Sequence, residues 1–323
     1  MTRKVLEFVQ EYDGFRILAH RDPDGDSLGS QLGLANILRA TNKSCEVLVH
    51  GPLPASYDFL PGVDQVLESP AGRMPDGHAV IVLDSTSPER LGPLQSAVEE
   101  GVPLLNIDHH PDNTRFGNVA WVDPTAAATA QLIAELASAA SLPVSPGAAF
   151  CLYTGLLTDT GRFTFSNTDA RALEVAAGLV RHGADPRGIA TQIYERLPAA
   201  GVRLLGKALD SLEVTGDGRV GVLLVTRKML AETGASTQDS EGFATFARSI
   251  RGVRVGLFLR ETVEGDVKVS FRSNEGVQID GLAGRFGGGG HAAAAGARIP
   301  GPIEEAKEVL LQAIKAHLDG ADS

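Results

Sequence analysis

FRILAHRDPDGDSLGS, residues 15–30, joins a short apolar run to a polar loop and then to a helix-forming segment. FRIL has the character of a buried strand, and from Leu28 to Leu38 the apolar residues recur at helical spacing. This order of strand, acidic loop and helix predicts the first unit of an α/β fold. We assign Ser27 as the N-cap of the helix rather than as a nucleophile, because no base precedes it in the pattern of a catalytic triad.

Further apolar runs follow in the first half of the chain, and the last two end in aspartate or histidine. They are CEVLVH (45–50), HAVIVLD (78–84) and VPLLNIDHH (102–110). Open, doubly wound α/β sheets place their sites at the carboxyl ends of the strands. Together with the Ala-rich helical segments 125–140 and 146–157, these runs predict an N-terminal, doubly wound and mainly parallel sheet.

The second half of the chain predicts a smaller C-terminal α/β domain. Its predicted strands are VGVLLVT (220–226), VRVGLFLRET (253–262) and DVKVSFRS (266–273). The glycine-rich segment GRFGGGGHAAAAGA (284–297) is expected to open or precede a helix. Since the α/β alternation pauses between the two halves, we predict a first domain at 1–190, a linker at 191–206 and a second domain at 207–323.

Composition limits the ligands that this chain can bind. Its 323 residues include 29 Lys and Arg against 40 Asp and Glu, which gives a formal net charge of −11. A broad electrostatic grip on long nucleic acid needs clustered basic residues, so a nucleotide ligand is expected to be small or to be held mainly by metal. The two cysteines, Cys45 and Cys151, lack zinc-site spacing and are interpreted as buried thiols of a reduced compartment.

The sequence also bears on location. The first 15 residues, MTRKVLEFVQEYDGF, lack the apolar region of a signal peptide. No run of about 18 apolar residues occurs anywhere in the chain. We therefore expect a soluble, cytoplasmic protein without a membrane partner.

Aspartate and histidine residues gather at the predicted strand ends. On its own, the loop at 20–27 also fits a solvated turn, because Asp, Gly and Pro are common turn residues. Charges beside buried strand ends are, however, usually paired or bound to metal, since leaving them unpaired is costly. A mixed imidazole and carboxylate set suits Mn²⁺ or a similar divalent cation better than copper or an iron–sulfur cluster. The groups concerned are the loop that starts at His20, Asp84, the triplet Asp108-His109-His110, and Asp159.

These segments resemble, in order and at similar spacing, the motifs of the DHH phosphoesterase superfamily. The matching segments are HRDPDGDSLGS (20–30), the isolated Asp84, the triplet at 108–110 and TDTGRF (158–163). A fifth segment, GGGGHAAAAG (287–296), resembles the glycine-rich signature of the DHH-associated domain. Length and architecture are most similar to the nano-RNase group, whose members also act on 3′-phosphoadenosine 5′-phosphate and, in some cases, on cyclic or linear di-adenylate.

The resemblance implies a centre for two divalent cations, with Mn²⁺ expected and Mg²⁺ or Co²⁺ as alternatives. It assigns to one ion His20, Asp24 and Asp84, and to the other Asp26, Asp84, His109 and Asp159. Asp84 is thereby shared, which agrees with the need for a carboxylate between two cations about 3.5–4 Å apart. A hydroxide that bridges the two ions is expected to attack phosphorus in line, without a covalent enzyme intermediate.

Two further residues of the motifs receive catalytic roles from the same resemblance. Asp108 is expected to orient an imidazole ring by a hydrogen bond. His110 is expected to face the scissile phosphate as an acid or as an electrostatic stabiliser. Asp22 matches no ligand position and is interpreted as a loop residue.

The resemblance places substrate contacts mainly in the second domain, across an active-site cleft between the two domains. The glycine run and the helix expected after it would let backbone N–H groups bind a phosphate. Arg115 and Arg162 follow two of the motifs, where a cation could meet a substrate phosphate, but surface salt bridges explain both almost as well. The expected substrate-binding residues are Arg272, Ser273, Gly288, Gly289, Gly290, His291, Arg115 and Arg162.

The function implied is hydrolysis of short oligoribonucleotides, including pApA-type dinucleotides, to mononucleotides, and of 3′-phosphoadenosine 5′-phosphate to AMP. Alternatives are a cyclic di-adenylate phosphodiesterase, a family II inorganic pyrophosphatase, which would be expected to carry a Lys-rich C-terminal site, and a catalytically silent nucleotide-binding module. RecJ-type exonucleases carry additional DNA-binding domains, which the length and charge oppose, so binding of long duplexes is not expected. A homodimer through the first domain is expected by resemblance only, and the linker suggests that the second domain closes over the substrate.

Overall fold

The structure is a computed structural model that describes residues 2–68, 74–98, 101–274 and 276–321. The chain divides into two units, Met1–Arg196 and Leu197–Ser323. The range 191–206, predicted as a linker, holds the end of one helix and the first part of the next. Each unit is built around its own sheet.

A parallel sheet lies at the centre of the first unit. Its strands within the described residues are β1 (Gly14–Leu18), β2 (Ser44–Leu48), β3 (Val66–Leu67), β4 (His78–Leu83), β5 (Leu104–Asp108) and β6 (Val119–Val122). They lie in the order β3-β2-β1-β4-β5-β6, and every neighbouring pair is parallel. The winding reverses between β1 and β4, which is the topological switch point of a doubly wound sheet. The predicted N-terminal fold class is confirmed.

Helices and apolar side chains cover both faces of this sheet. The α-helices of the unit are α1 (Thr2–Glu11), α2 (Gly25–Ala40), α3 (Thr129–Ala139), α4 (Pro146–Asp159), α5 (Ala170–Arg181) and α6 (Pro186–Tyr194). Ile17 and Ile81 pack into the core on the side of α2 and α4, whereas Leu18 and Val82 pack on the opposite side against the 3₁₀ segment Pro88–Ala97. Because both faces are buried, the central strands are mostly apolar, with Arg16 in β1 and Asn106 in β5 as buried polar exceptions.

Glycines on one face of α2 bring this helix unusually close to α4. A Cβ at Gly29 would lie 2.5 Å from the carbonyl oxygen of Cys151. A Cβ at Gly25 would lie 2.3 Å from Oγ1 of Thr158. These contacts are closer than any side chain permits, so the crossing requires glycine. The close approach fixes the start of α2 beside the end of α4.

Both cysteines lie in the first unit and are free thiols. Cys151 is buried and Cys45 is half-buried. Burial raises the pKa of each thiol to about 12. Thiolate forms are therefore scarce at neutral pH. The prediction of a buried thiol is confirmed for Cys151 and is wrong for Cys45, which is partly exposed.

A mixed sheet forms the second unit. Its strands are β7 (Glu213–Val214), β8 (Val220–Val225), β9 (Val255–Glu261), β10 (Asp266–Ser273), β11 (Gly289–His291) and β12 (Ala294–Pro300), and its α-helices are α7 (Ala199–Asp210), α8 (Arg227–Thr233), α9 (Ala244–Arg248), α10 (Asp280–Gly284) and α11 (Ile303–Ala321). The strand order is β11-β12-β10-β9-β8-β7, with β8 and β9 parallel and the other pairs antiparallel. No helix among the described residues has the length and apolar character needed to cross a membrane.

The prediction of an Ala-rich helix after the glycine run is wrong. This part of the chain forms β11 and β12, and β12 pairs with β10 along its whole length. Ala295, Ala297 and Ile299 alternate into the core, which is the period of a strand. Pairing within the sheet outweighs the helix propensity of alanine, which is a weak preference.

Replacing Gly29 with alanine should loosen the α2–α4 crossing. The new methyl group would collide with a backbone carbonyl, so we expect a loss of about 1–3 kcal/mol in the free energy of unfolding. Gly178→Ala, in α5, is the matched control, because no atom lies within 4 Å of its added Cβ. It should be neutral or stabilise the protein by up to about 1 kcal/mol. Urea unfolding of both variants gives the comparison, and equal stabilities would contradict the packing argument.

Candidate metal centre

The predicted ligands come from different elements that meet at the switch point of the sheet. His20 follows β1, Asp84 follows β4, and His109 follows β5. Asp26 lies in the first turn of α2, and Asp159 is the last residue of α4. The sheet and the close helix crossing together place these side chains in one buried region.

His20, Asp24 and Asp84 form a first group of possible metal donors. Nε2 of His20 lies 3.6 Å from Oδ2 of Asp24 and 3.4 Å from Oδ2 of Asp84. One ligand atom from each residue lies within 4.8 Å of the others. Two donors that each lie about 2.1 Å from one cation are about 3.0–3.4 Å apart, so the spacing nearly fits a shared ion.

Asp26, His109 and Asp159 form a second group. Nε2 of His109 lies 3.8 Å from Oδ2 of Asp26 and 3.4 Å from Oδ2 of Asp159. These atoms also lie within 4.8 Å of one another. Oδ2 of Asp159 is buried and has no hydrogen-bond partner among the described residues. A buried carboxylate oxygen of this kind is well suited to bind a cation.

Asp84 connects the two groups. Its Oδ2 faces His20, while its Oδ1 lies 3.6 Å from Nε2 of His109. The backbone of Asp84 has a φ of 51°, in the left-handed region that residues other than glycine rarely adopt. Such strained residues cluster at functional sites. The structure therefore places the Asp84 carboxylate between two sets of nitrogen and oxygen donors.

The charges in this cluster shift its acid–base equilibria strongly in the metal-free protein. Burial, together with the nearby Asp84 carboxylate, raises the pKa of Asp26 well above its usual value. Burial likewise raises the pKa of Asp159 to about 6. For His20, burial alone would lower the pKa, but the Asp24 and Asp84 carboxylates outweigh it and raise the pKa well above 6.5. Cations and protons therefore compete for the same atoms.

Asp108 lies at the end of β5, where it is completely buried and holds His110. Its Oδ1 accepts hydrogen bonds from the backbone N–H of His109 at 2.8 Å and from Nδ1 of His110 at 2.8 Å. Burial would lower the pKa of His110, but the bond to Asp108 and the charge of Asp84 raise it to about 9. His110 is thus a cation at neutral pH. It can also be grouped with Asp84 and His109 as a metal donor, but Asp108 already engages its Nδ1.

Two asparagines outside the sequence motifs belong to the hydrogen-bond network around Asp108: Asn113 bonds to it directly, and Asn106 bonds to Asn113. Nδ2 of Asn113 donates to Oδ2 of Asp108 at 2.6 Å, to Oδ1 of Asn106 at 2.9 Å and to the carbonyl of Ser85 at 3.0 Å. Asn106 is itself fully buried in β5. The position of Asn106 inside the apolar run LLNI indicates such a network from sequence, because a buried amide in a strand needs polar partners.

Residues 126–130, called here the 126–130 segment, also contact the predicted ligands, although the sequence motifs did not indicate this role. Its backbone serves several of the predicted ligands at once. The carbonyl of Ala126 pairs with Nδ1 of His109 at 3.2 Å, which directs Nε2 toward the carboxylates. The backbone N–H groups of Thr129 and Ala130 donate to Asp26 at 2.7 and 2.9 Å. Asp26 therefore caps the start of α3 from another helix.

The prediction that Ser27 is the N-cap of α2 is wrong by three residues. Asp24 is the N-cap, and Ser27 completes a capping box with it. Oδ1 of Asp24 accepts from the backbone N–H of Ser27 at 2.9 Å, while Oγ of Ser27 accepts from the N–H of Asp24 at 2.8 Å. The helix begins earlier than the apolar spacing indicated, because Gly25 and Asp26 are helical although they lack apolar side chains.

The predicted substrate-binding arginines of the first unit are exposed. The guanidinium of Arg162 stacks on Tyr194, with its central carbon 3.7 Å from the ring centroid. Arg115 has a left-handed backbone with a φ of 56°. Asp22 is exposed as well, and its Oδ2 lies 3.6 Å from Nε of Arg21. It belongs to none of the donor groups found among the described residues.

The predicted substrate-binding residues of the second unit lie on β10 and on or next to β11, and β12 separates these two strands in the sheet. Arg272 is half-buried in β10, and its Nη1 donates to the carbonyl of Phe271 at 2.8 Å. Ser273 is buried and donates to the carbonyl of Val277 at 2.5 Å. The side chain of His291 lies outside the described part of the chain.

The glycine run of the second unit has a structural role that the sequence comparison did not indicate. A Cβ at Gly288 would lie 2.0 Å from the carbonyl of Gly296, and one at Gly290 would lie 2.5 Å from the carbonyl of Ala294. Around Gly289 no atom lies within 4 Å of such a Cβ. Gly288 and Gly290 are thus required by strand packing, whatever else they contact. Because β12 replaces the expected helix, no helix N-terminus follows to bind an anion.

The site combines possible donors to divalent cations with a charged histidine, and it lies at the switch point of an α/β sheet. This combination of fold and site is typical of a metal-dependent phosphoesterase. Residues 15–156 match the DHH family, N-terminal domain, and residues 219–319 match the DHHA1 domain. The bifunctional oligoribonuclease and PAP phosphatase NrnA of Thermus thermophilus is 37% identical, over 99% of this chain and 95% of that protein. The chain therefore belongs to the DHH family, which confirms the resemblance.

Two other proteins extend the comparison. The protein of the same name from Bacillus subtilis is 30% identical over 93% of each chain. A crystal structure of an exopolyphosphatase-related protein from Bacteroides fragilis covers 100% of this chain and 97% of its own, with 27% identity and a TM-score of 0.91. The fold described above thus recurs in a solved structure.

The charge on His110 can be tested in the metal-free protein by NMR of the imidazole nitrogens. We expect His110 to titrate with a pKa of about 9. In the isosteric variant Asp108→Asn the stabilising carboxylate is lost while burial remains, so the pKa should fall toward or below about 6.5. The remaining imidazole signals report whether the variant is folded. A wild-type His110 that titrates below about 7 would contradict the assignment.

Proposed function

We propose that this chain hydrolyses short oligoribonucleotides, including pApA-type dinucleotides, to mononucleotides, and 3′-phosphoadenosine 5′-phosphate to AMP. The observation that carries the proposal is the pair of donor groups joined by Asp84. The relatives named bifunctional oligoribonuclease and PAP phosphatase support the choice of substrate, since they match nearly the whole chain. The net charge of −11 favours small substrates over long nucleic acid.

The metal ligands are part of this proposal. We assign to one ion His20, Asp24 and Asp84, and to the other Asp26, Asp84, His109 and Asp159. Mixed imidazole and carboxylate donors favour Mn²⁺, with Mg²⁺ and Co²⁺ as alternatives. When bound, two such cations supply a water of lowered pKa and neutralise charge on the phosphoryl oxygens.

His110 supplies the proton chemistry of the protein itself. It is charged at neutral pH and held by the buried Asp108, so its ring has a fixed direction. A charged imidazole can stabilise negative charge on the phosphate or protonate the leaving oxygen. Cations bound beside it would lower its pKa from about 9 toward neutrality, which makes it a better acid. Asp108 acts by orienting this ring.

Contacts to the substrate complete the proposal. Arg272 and the glycines Gly288, Gly289 and Gly290 are assigned to the phosphate groups or the base, together with Ser273 and His291. Arginine suits phosphate because its planar guanidinium can donate two hydrogen bonds at once. Arg115 and Arg162 are assigned as additional phosphate contacts. The cytoplasmic location and the homodimer stay predictions.

Product release by the purified protein with Mn²⁺ tests this function. The substrates are pApA, an RNA pentamer, a long single-stranded RNA, 3′-phosphoadenosine 5′-phosphate, cyclic di-adenylate and pyrophosphate. We expect mononucleotides from the short RNAs and AMP from 3′-phosphoadenosine 5′-phosphate. Turnover of pyrophosphate alone, or of cyclic di-adenylate alone, would replace the proposal with the corresponding activity.

Two matched variants locate the activity. Asp84→Asn keeps the size of the side chain and tolerates the left-handed backbone, but it loses the shared charge. We expect its turnover to fall by about 10³-fold or more. Asp22→Asn removes an exposed carboxylate from the loop that also holds Asp24 and should keep wild-type turnover. Equal activity of the two variants would refute the ligand assignment.

Binding of Mn²⁺ should depend on pH in a defined direction. The pKa of His20 is raised well above 6.5 and that of Asp159 to about 6, so protons occupy both below these values and must leave when metal binds. We expect the apparent association constant to rise with pH, about tenfold per pH unit for each proton released. Calorimetry in buffers of different ionisation enthalpy counts these protons. An Mn²⁺ affinity that does not change between pH 5.5 and 8 would contradict the raised pKa values of His20 and Asp159.

A further inference from the structure

Thr129 contacts two of the carboxylates assigned to the metal centre. It is the first residue of α3, and it is completely buried. Its backbone N–H donates to Oδ2 of Asp26 at 2.7 Å. Its hydroxyl Oγ1 donates to Oδ1 of Asp84 at 3.1 Å. One residue thus links the carboxylate that would be shared by both ions to a carboxylate of the second group.

The hydroxyl contact restrains the orientation that Asp84 needs. For Asp84 to serve both donor groups, Oδ2 must face His20 while Oδ1 faces His109. Rotation of the carboxylate about its last bond would turn both oxygens away from these directions. The terminal torsion of aspartate is broad, so packing of the side chain alone defines it poorly. A hydrogen bond to Oδ1 defines the plane of the carboxylate and leaves a second lone pair of that oxygen for a cation.

Other buried threonines of the unit show what a purely structural hydroxyl does. Thr154, in α4, is also completely buried, and its Oγ1 donates to the carbonyl of Phe150 one turn earlier at 3.0 Å. That bond stays within the helix. The hydroxyl of Thr129 instead reaches a carboxylate on another element, 45 residues earlier in the chain. Helix α3 does not need this bond, since Asp26 already satisfies its first N–H groups.

We propose that Thr129 is a positioning residue of the metal centre, whose hydroxyl holds the Asp84 carboxylate between the two donor groups. The inference rests on the proposed function, because it assumes that Asp84 is shared by two cations. Groups that orient metal ligands by hydrogen bonds contribute about 10–100-fold to metal affinity. The hydroxyl of Thr129 therefore contributes to metal binding without touching the substrate.

Mn²⁺ affinity, measured by calorimetry and by the paramagnetic resonance of free and bound ion, tests the proposal without a hydrolysis assay. Thr129→Val keeps the shape and the backbone N–H but removes the hydroxyl, so its affinity should fall by about 10–100-fold. Thr129→Ser keeps the hydroxyl and should stay within about threefold of wild type. Thr154→Val, which also removes a buried threonine hydroxyl, is the control and should bind Mn²⁺ as wild type does.

The outcomes separate this proposal from the function above. A Thr129→Val affinity equal to that of Thr154→Val overturns the positioning role, as does a Thr129→Ser variant that is as weak as Thr129→Val. Circular dichroism of the metal-free proteins identifies unfolding, and Thr129→Ala supplies the same comparison if the valine variant does not fold. Wild-type protein that binds Mn²⁺ but hydrolyses none of the substrates refutes the proposed function alone. Wild-type protein that binds none of Mn²⁺, Mg²⁺ and Co²⁺ refutes both.

Discussion

The burial of several carboxylates beside imidazoles at one edge of a sheet is the constraint on which the first unit depends. Like charges this close repel one another, and each buried oxygen needs donors or a cation. The fold supplies some of these hydrogen-bond partners through the 126–130 segment, which contacts Asp26, Asp84 and His109. The remaining negative charge is neutralised by protons in the metal-free protein and, as proposed, by divalent cations in the active protein.

The approach of α2 to α4 gives this constraint its geometry. Gly29 lets the two helices touch at the backbone, and this brings the first turn of α2 next to the last turn of α4. Asp26 and Asp159 sit on those two turns, and His109 lies between them. A wider crossing would separate the two carboxylates. The glycines of this crossing therefore set the distance between the two carboxylates, although they carry no donor group themselves.

The second unit shows where local preference misleads. Alanines after the glycine run favour a helix, yet they form β12, because pairing with β10 and β11 satisfies their backbone groups and buries alternate side chains. The same pairing explains Gly288 and Gly290 as packing requirements. No helix begins directly after the run, so a phosphate bound there would have no helix N-terminus to contact.

The sequence by itself determined the class of fold and the candidate donors, because apolar runs that end in Asp84 or His109 define strands and strand ends, and the motif order identifies the family. It did not determine that Asp26 caps the start of α3 or that Thr129 holds Asp84. Those contacts join residues up to 104 positions apart, as between Asp26 and Ala130. Only the packed tertiary structure decides them, since hydrogen bonds between distant segments depend on how sheet and helices fit together rather than on local pattern.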